Sequence, residues 1–139
     1  MRNLLLLTVV AFLSACATTS SEKPPLIVDI SDQEVSYDGE TYPVSTGLKG
    51  TGSVLGSNKT PIGEDLYVGK KKKGKYGPCL EVHGKCENGI EQKERYIEFH
   101  GTSQRLGVPL SRGCIRTSWA VSRQFYEEVP VGTSVIIKR

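Results

Sequence analysis

The chain is poor in the residues on which most metal, nucleotide and nucleic-acid chemistry depends. Its 139 residues include two histidines, four cysteines, one tryptophan and three phenylalanines. No doubled Cys-x-x-Cys is present, which excludes a zinc ribbon. Lys59-Thr60 follows a glycine-rich stretch but lacks both the glycine before the lysine and the Gly-x4-Gly-Lys spacing, which excludes a phosphate-binding loop. Charge of neither sign dominates. The 18 Lys and Arg against 15 Asp and Glu leave +3, too weak and too mixed for a nucleic-acid partner, which would need a basic stripe with stacking aromatics. No apolar run is long enough to cross a bilayer. The longest, Leu4–Leu13, is ten residues, ~15 Å as a helix against ~30 Å of hydrocarbon. No internal repeat is visible, and the length allows one domain with a real core but not two.

What the first residues do contain is a basic start, "MRN", the apolar run "LLLLTVVAFL", and small residues before a cysteine, "SAC". This order reads as an export signal. The ending "LSAC" resembles a bacterial lipobox, in which the signal is cleaved before the cysteine and that cysteine carries lipid. An ordinary signal peptide cleaved nearby is the alternative. The lipobox reading gives a signal peptide over 1–15, a lipidated Cys16 with a Pro-ended polar tether over 16–25, and a single domain over 26–139. Ala17 is not aspartate, which fits sorting to an outer membrane, so the expected location is exported, lipid-anchored at the outer membrane and facing the periplasm.

Fifteen glycines favour turn-rich β structure over a helical bundle. "LIVDI" (26–30) reads as a strand, and "EVSYDGETYPV" (34–44) as a hairpin about Asp38-Gly39. The stretch 45–63 has five glycines and no periodicity and reads as a loop. "LYVG" (66–69) reads as a strand and the lysine run 70–75 as its solvated hairpin tip, with attraction to an anionic polymer as the functional alternative. "CLEVHG" and "RYIEFHG" follow as strands, the second placing Ile97 and Phe99 on one face and Tyr96, Glu98 and His100 on the other. Val121, Phe125 and Val129 recur at i, i+4 and i+8, which predicts one amphipathic helix capped by Thr117 or Ser118. "SVIIK" (134–138) closes as a last strand. The expected class is mostly β with one helix.

The cysteines divide by context. Cys16 goes to lipid. Cys79 and Cys86, seven positions apart, are expected to form a disulfide in an oxidising compartment. A zinc site using Cys79, His83 and Cys86 is the rival but has no clear fourth ligand, and two free buried thiols are the third possibility. Cys114 is left over, in "FHGTSQRLGVPLSRGCIR" (99–116), which also holds His100. A thiolate, not a thiol, attacks carbonyls, and an imidazolium or nearby cation can lower the thiol pKa from ~8.5 to ~3.5–7.5. His100 is the candidate partner, as thiolate stabiliser and later as acid toward a leaving amine. The expected resting state is a thiolate–imidazolium pair. Arg112 adds positive field but cannot be a base. Gly113 can bring backbone N–H groups to an oxyanion, and Arg116 offers a fork for a substrate carboxylate. His83 sits in a second His-Gly pair without that context and reads as structural.

"FHGT" followed by "SRGCIR" resembles the signature of the L,D-transpeptidase catalytic domain, the YkuD-like family of peptidoglycan enzymes. "YPVSTG", "KTPIGEDLYV" and the closing "VPVGTSVII" resemble further segments of that domain, so the likeness runs from Leu26 to Arg139. The resemblance implies a small β-sandwich or barrel-like fold, Cys114 as nucleophile and His100 as proton donor and acceptor, with no metal and no cofactor. It places Gly113, Gly101, Arg112 and Arg116 at the oxyanion and substrate. It implies peptidoglycan stem peptides as partners, with acyl transfer through a Cys114 thioester to form 3–3 cross-links or to attach an amine acceptor. Water as acceptor would make the chain an L,D-carboxypeptidase or amidase instead. The family commonly has histidine where this chain has Arg112, and a catalytically silent wall-binding lipoprotein is the second alternative.

Overall fold

The structure, a computed structural model, describes residues 22–139; the expected signal sequence and Cys16 lie outside the described residues. β1 (Leu26–Asp29) begins where the apolar β-branched text begins, and its alternate residues Leu26 and Val28 are fully buried. β2 (Glu34–Tyr37) and β3 (Glu40–Pro43) form the expected hairpin. Its two turn residues, Asp38 and Gly39, both take left-handed φ (48° and 82°), as a tight hairpin of native twist requires. β4 (Gly63–Gly74) and β5 (Gly77–Lys85) form a second, longer hairpin, followed by a short 3-10 turn at Lys93–Arg95. β6 (Glu98–Gly101), β7 (Ile115–Thr117), α1 (Trp119–Glu128) and β8 (Ser134–Lys138) complete the chain.

All eight strands belong to one sheet in the order β3-β2-β1-β8-β4-β5-β6-β7. Its two ends nearly meet. Ser45, just past β3, exchanges two backbone hydrogen bonds of 2.9 Å with Arg116 of β7, which curls the sheet into an almost closed barrel-like form. This is the mostly β, one-helix class that the sequence implied. The helix closes the core. Ser118 caps it, its hydroxyl accepting the Val121 N–H at 3.2 Å. Phe125 is fully buried and meets Tyr37, Tyr42 and Phe99 edge-on at ring-centroid distances of 5.8, 5.6 and 6.2 Å.

Several expectations need correction. The lysine run is not a hairpin tip: Lys70–Lys73 lie inside β4, and the turn is Lys75-Tyr76. The lysines pair with β5 through their backbone, Lys72 meets Glu81 and Glu98, and Lys71 and Lys73 lie over the Tyr126 ring, so the charges do not prevent a strand. The strand expected over 95–101 is shorter, because Tyr96 takes a left-handed conformation (φ 54°, ψ 41°) after the 3-10 turn and pairing starts at Glu98. β7 has only three residues, too few for periodicity to reveal. The expected Cys79–Cys86 disulfide is absent; both thiols are free and buried. Cys79 lies near the start of β5 and Cys86 just past its end, so about 23 Å of extended chain separates them against less than ~7 Å between the Cα atoms of a disulfide. Cys79 and His83 are likewise about 13 Å apart along the strand, and among the described residues no three His, Cys, Asp or Glu gather as a metal site.

Candidate active site

The site is assembled on one face of the sheet by register. β6 and β7 are parallel neighbours, with Phe99 opposite Ile115 and His100 opposite Arg116. Phe99 and Ile115 belong to the core. Side chains alternate across a strand, so Glu98, His100 and Arg116 share the other face, and Cys114 stands at the entry to β7, one residue before Ile115. β5 and β4 extend that face: Cys79 is opposite His100, Glu81 opposite Glu98, and Lys72 opposite Cys79. His100 and Cys114 are one strand spacing (~4.8 Å) and two residues (~6.6 Å) apart, about 8 Å between Cα atoms, a diagonal that side chains can span. Fourteen residues of sequence are thus folded back to bring base and thiol to adjacent strands.

His100 is held from three sides. Its Nδ1 lies 2.9 Å from the Gly101 carbonyl. A carbonyl only accepts, so Nδ1 carries the proton and the neutral ring keeps its lone pair on Nε2. Tyr76, at the β4–β5 turn, stacks on the imidazole at 4.7 Å and 22°. Gly101 gives room to the Trp119 indole: a Cβ there would stand 2.2 Å from Trp119 Cε3. The Gly101 position expected at an oxyanion instead orients the base and admits the indole. His100 is buried, at 4% exposure, more deeply than its strand-end position suggested.

The nucleophile turn is tied by short-range bonds. Ser111 Oγ donates to the Cys114 carbonyl at 2.6 Å and accepts the Gly113 N–H at 3.1 Å. Thr60, in the glycine-rich loop, donates to the Gly113 carbonyl at 2.9 Å and accepts the Gly47 N–H at 2.8 Å. Gly113 itself has φ 118°, and a Cβ on it would meet the Lys59 carbonyl at 2.9 Å. Only glycine fits this approach. Its N–H is engaged with Ser111, however, so the expected oxyanion donor is not free. The Cys114 thiol, part exposed, faces the Tyr96 carbonyl at 3.6 Å.

Electrostatics corrects the expected ion pair. Burial pushes the Cys114 thiol up; the Glu98 N–H lowers it, the Glu98 carboxylate raises it, and Arg116 and Lys72 lower it. Burial pushes His100 down, with the Gly101 carbonyl working against it and Arg116 with it. Both shifts are in the direction of the neutral form and run against the expected ion pair. A neutral imidazole with its lone pair on Nε2 can accept a proton.

The arginines separate. Arg116 bonds Gln104 through Nη1 and reaches the Leu110 carbonyl at 3.4 Å. Arg112 is exposed and makes no side-chain hydrogen bond among the described residues, so the positive field falls to Arg116 and Lys72. His83 is structural as expected: its Nε2 is 2.7 Å from Glu81 Oε1, and it fills the space over Gly69. An open cleft of about 260 Å³ lies at the C-terminal ends of β6 and β7, walled by Tyr76, His100, Ser103, Gln104, Arg116 and Trp119. A larger groove of about 560 Å³ between residues 22–25 and β8 holds no nucleophile–base couple. Sequence reasoning missed Tyr76, Trp119, Ser111, Thr60, Lys72 and Glu98. Glu98 had a signal, its period-two relation to His100; Tyr76 and Thr60 had none.

A cysteine at the entry to β7 and a histidine on the adjacent β6, with a tied glycine turn before the cysteine, are the groups that thiol-dependent acyl transfer needs. The profile of the YkuD family, the L,D-transpeptidase catalytic domain, matches residues 24–137, and the chain belongs to that family. Solved structures agree on the fold. An L,D-transpeptidase from Xylanimonas cellulosilytica is 23% identical with a TM-score of 0.59, covering 86% of this chain and 62% of that one. An L,D-transpeptidase from Mycobacterium smegmatis is 19% identical with a TM-score of 0.59, covering 84% and 59%. L,D-transpeptidase 3 from Mycobacterium tuberculosis, bearing a faropenem-derived adduct, is 18% identical with a TM-score of 0.62, covering 84% and 61%. This chain therefore spans about three fifths of those structures. No curated protein sequence matches it significantly.

Proposed function

We propose that the chain transfers acyl groups on peptidoglycan stem peptides through a Cys114 thioester. The observation that carries this reading is the placement of Cys114 at the entry to β7, diagonal to His100 on the parallel neighbour β6, with His100 Nδ1 bonded to the Gly101 carbonyl and Nε2 left as the base. Cys114 Sγ attacks the donor carbonyl while its proton passes to Nε2. The backbone N–H of Cys114 takes the oxyanion in this reading, since that of Gly113 is bonded to Ser111. The C–N bond breaks, and His100 returns the proton to the departing amine, leaving a thioester. An acceptor amine then enters from the cleft, gives its proton to His100, forms the new C–N bond and releases the thiol. Arg116 at the cleft wall suits a carboxylate on the departing or arriving group.

The cleft is open to solvent, so water in the acceptor place would make the same site an L,D-carboxypeptidase or amidase. The "LSAC" ending before Ala17 supports export, lipidation at Cys16 and an outer-membrane position facing the periplasm, with the domain starting near Leu26. Mass spectrometry of purified muropeptides incubated with the domain lacking residues 1–16 tests the reading. Cross-linked or amine-exchanged product supports transfer, a trimmed stem supports hydrolysis, and no reaction supports the silent wall-binding form. Loss of every product in Cys114→Ala and Cys114→Ser, with the fold retained, is expected; a wild-type rate in either removes Cys114 as nucleophile.

A further inference from the structure

The lysine run is the sequence feature that this chemistry leaves unused, and one of its members lies within the site face. Lys72 Nζ is 2.9 Å from Glu81 Oε2 and 2.5 Å from Glu98 Oε1. It also stands 5.7 Å from the Tyr96 ring centroid, the residue whose carbonyl faces the Cys114 thiol. Glu81 Oε1 continues to His83 Nε2 at 2.7 Å. Glu81 and Glu98 are buried, at 6% and 8% exposure. A chain of charged and polar groups thus crosses β5, β4 and β6 and ends at Glu98. Glu98 lies beside Cys114: the two directly precede the paired Phe99 and Ile115, and the Glu98 backbone N–H reaches the thiol.

A carboxylate one strand away from a nucleophilic sulfur opposes the charge that the sulfur takes on in attack. The groups facing Cys114 are Glu98 and His100 from β6, Arg116 from β7, and Lys72 from β4, with the Tyr96 carbonyl from the 3-10 turn. Glu81 stands one strand further, on β5, and Arg95 near the loop behind. Two carboxylates and one lysine share the Lys72 end, so the lysine sets how strongly that end repels a thiolate. Lys72 is held charged well above its ordinary range, chiefly by its hydrogen bond to Glu98.

We propose that Lys72 and Glu98 are positioning residues for the nucleophile: Glu98 opposes negative charge on Cys114, and Lys72 cancels Glu98. Burial, the Glu98 carboxylate, Arg116 and Lys72 act on the thiol with the signs this requires. Burial favours the protonated thiol, and the pair tunes how far its ionisation lies from the reach of His100. The proposal rests on Cys114 being the reactive thiol, but not on peptidoglycan as its substrate.

The test is alkylation of Cys114 by iodoacetamide against pH in the folded domain, read site by site by peptide mass, with thermal melts to establish folding. Glu98→Gln should move the alkylation midpoint down by about one pH unit, and Lys72→Met up by about one. The Lys72→Met/Glu98→Gln double variant should return to within about 0.3 unit of wild type, because both opposing charges are then gone. Nucleophilicity falls as the pKa falls, so at pH ~8 each single change should alter the rate by only about three- to fourfold. Lys72→Arg keeps the charge and should keep the wild-type midpoint. If Lys72→Met gives no cooperative melt, Glu98→Gln and Lys72→Arg decide. A folded Glu98→Gln with an unmoved or raised midpoint overturns the proposal, as does a Lys72→Arg midpoint displaced by a full unit. No muropeptide enters this assay, so its failure is distinct from failure of the transfer reaction.

Discussion

Replacing Tyr76 by alanine should change how His100 titrates without removing any group from the reaction. The Tyr76 ring covers one face of the imidazole at 4.7 Å and 22°, and His100 is only 4% exposed. Burial is the first cause that holds its pKa below 6.5; the Gly101 carbonyl opposes it, Arg116 supports it and Glu98 opposes it. Opening one face of the ring to water weakens the burial contribution alone, so the pKa should rise toward 6.5. The lost stack should cost about 0.5–1.5 kcal/mol of stability, at the lower end because Tyr76 is 42% exposed. A group whose folded pKa lies below its unfolded value takes up more protons unfolded. Stability from His100 is therefore present above the unfolded pKa and is lost as pH falls below it; in Tyr76→Ala that loss should be smaller. NMR of the two histidine Cε1–H signals, assigned with His100→Gln, measures the midpoint directly. The rate of acylation by a carbapenem-type β-lactam against pH gives the same group kinetically: its acid limb should follow the His100 midpoint upward. A folded Tyr76→Ala whose His100 titrates at the wild-type midpoint would refute burial under Tyr76 as the cause.

Gly113→Ala should slow acylation sharply and destabilise the turn by roughly 1–3 kcal/mol, because φ 118° and a 2.9 Å approach to the Lys59 carbonyl leave no place for a Cβ; wild-type kinetics in that variant would show that the turn is not tied as described. Phe125→Ala, at a fully buried ring touching three others, should cost ~3–5 kcal/mol in denaturant titration, and a loss under 1 kcal/mol would contradict the core. Unfolding without reductant should expose free Cys79 and Cys86 to alkylation, both being unpaired; recovery of a linked peptide would reverse the correction made to that pair.

Several elements could be read before any tertiary contact was known, because their physics is local. Asp38-Gly39 announces a hairpin through φ preference alone, and the structure has the turn there. Val121, Phe125 and Val129 announce a helix through spacing, and Ser118 caps it as one of two expected residues. The period-two alternation put His100 on the face away from Phe99, which the register with β7 bears out. Where the reading failed, the deciding contact was distant in sequence. Lys70–Lys73 look like a solvated tip because nothing in the run reveals Glu81 and Glu98. Cys79 and Cys86 look like a pair because short sequence spacing conceals that the segment between them is extended.

The sequence by itself therefore determined the class of fold, the helix and its cap, the first hairpin, and the two residue types that carry the proposed chemistry. Those follow from backbone preference, hydrophobic period and motif. The tertiary structure decided what those residues can do. Parallel pairing of β6 with β7 set Cys114 diagonal to His100, and Tyr76, 24 residues before the histidine in the sequence, covers the imidazole. Burial then works against charge on both the thiol and the imidazole, where spacing alone suggested an ion pair. Protonation depends on desolvation and on charges from other strands, and neither is a property of neighbouring letters in the chain.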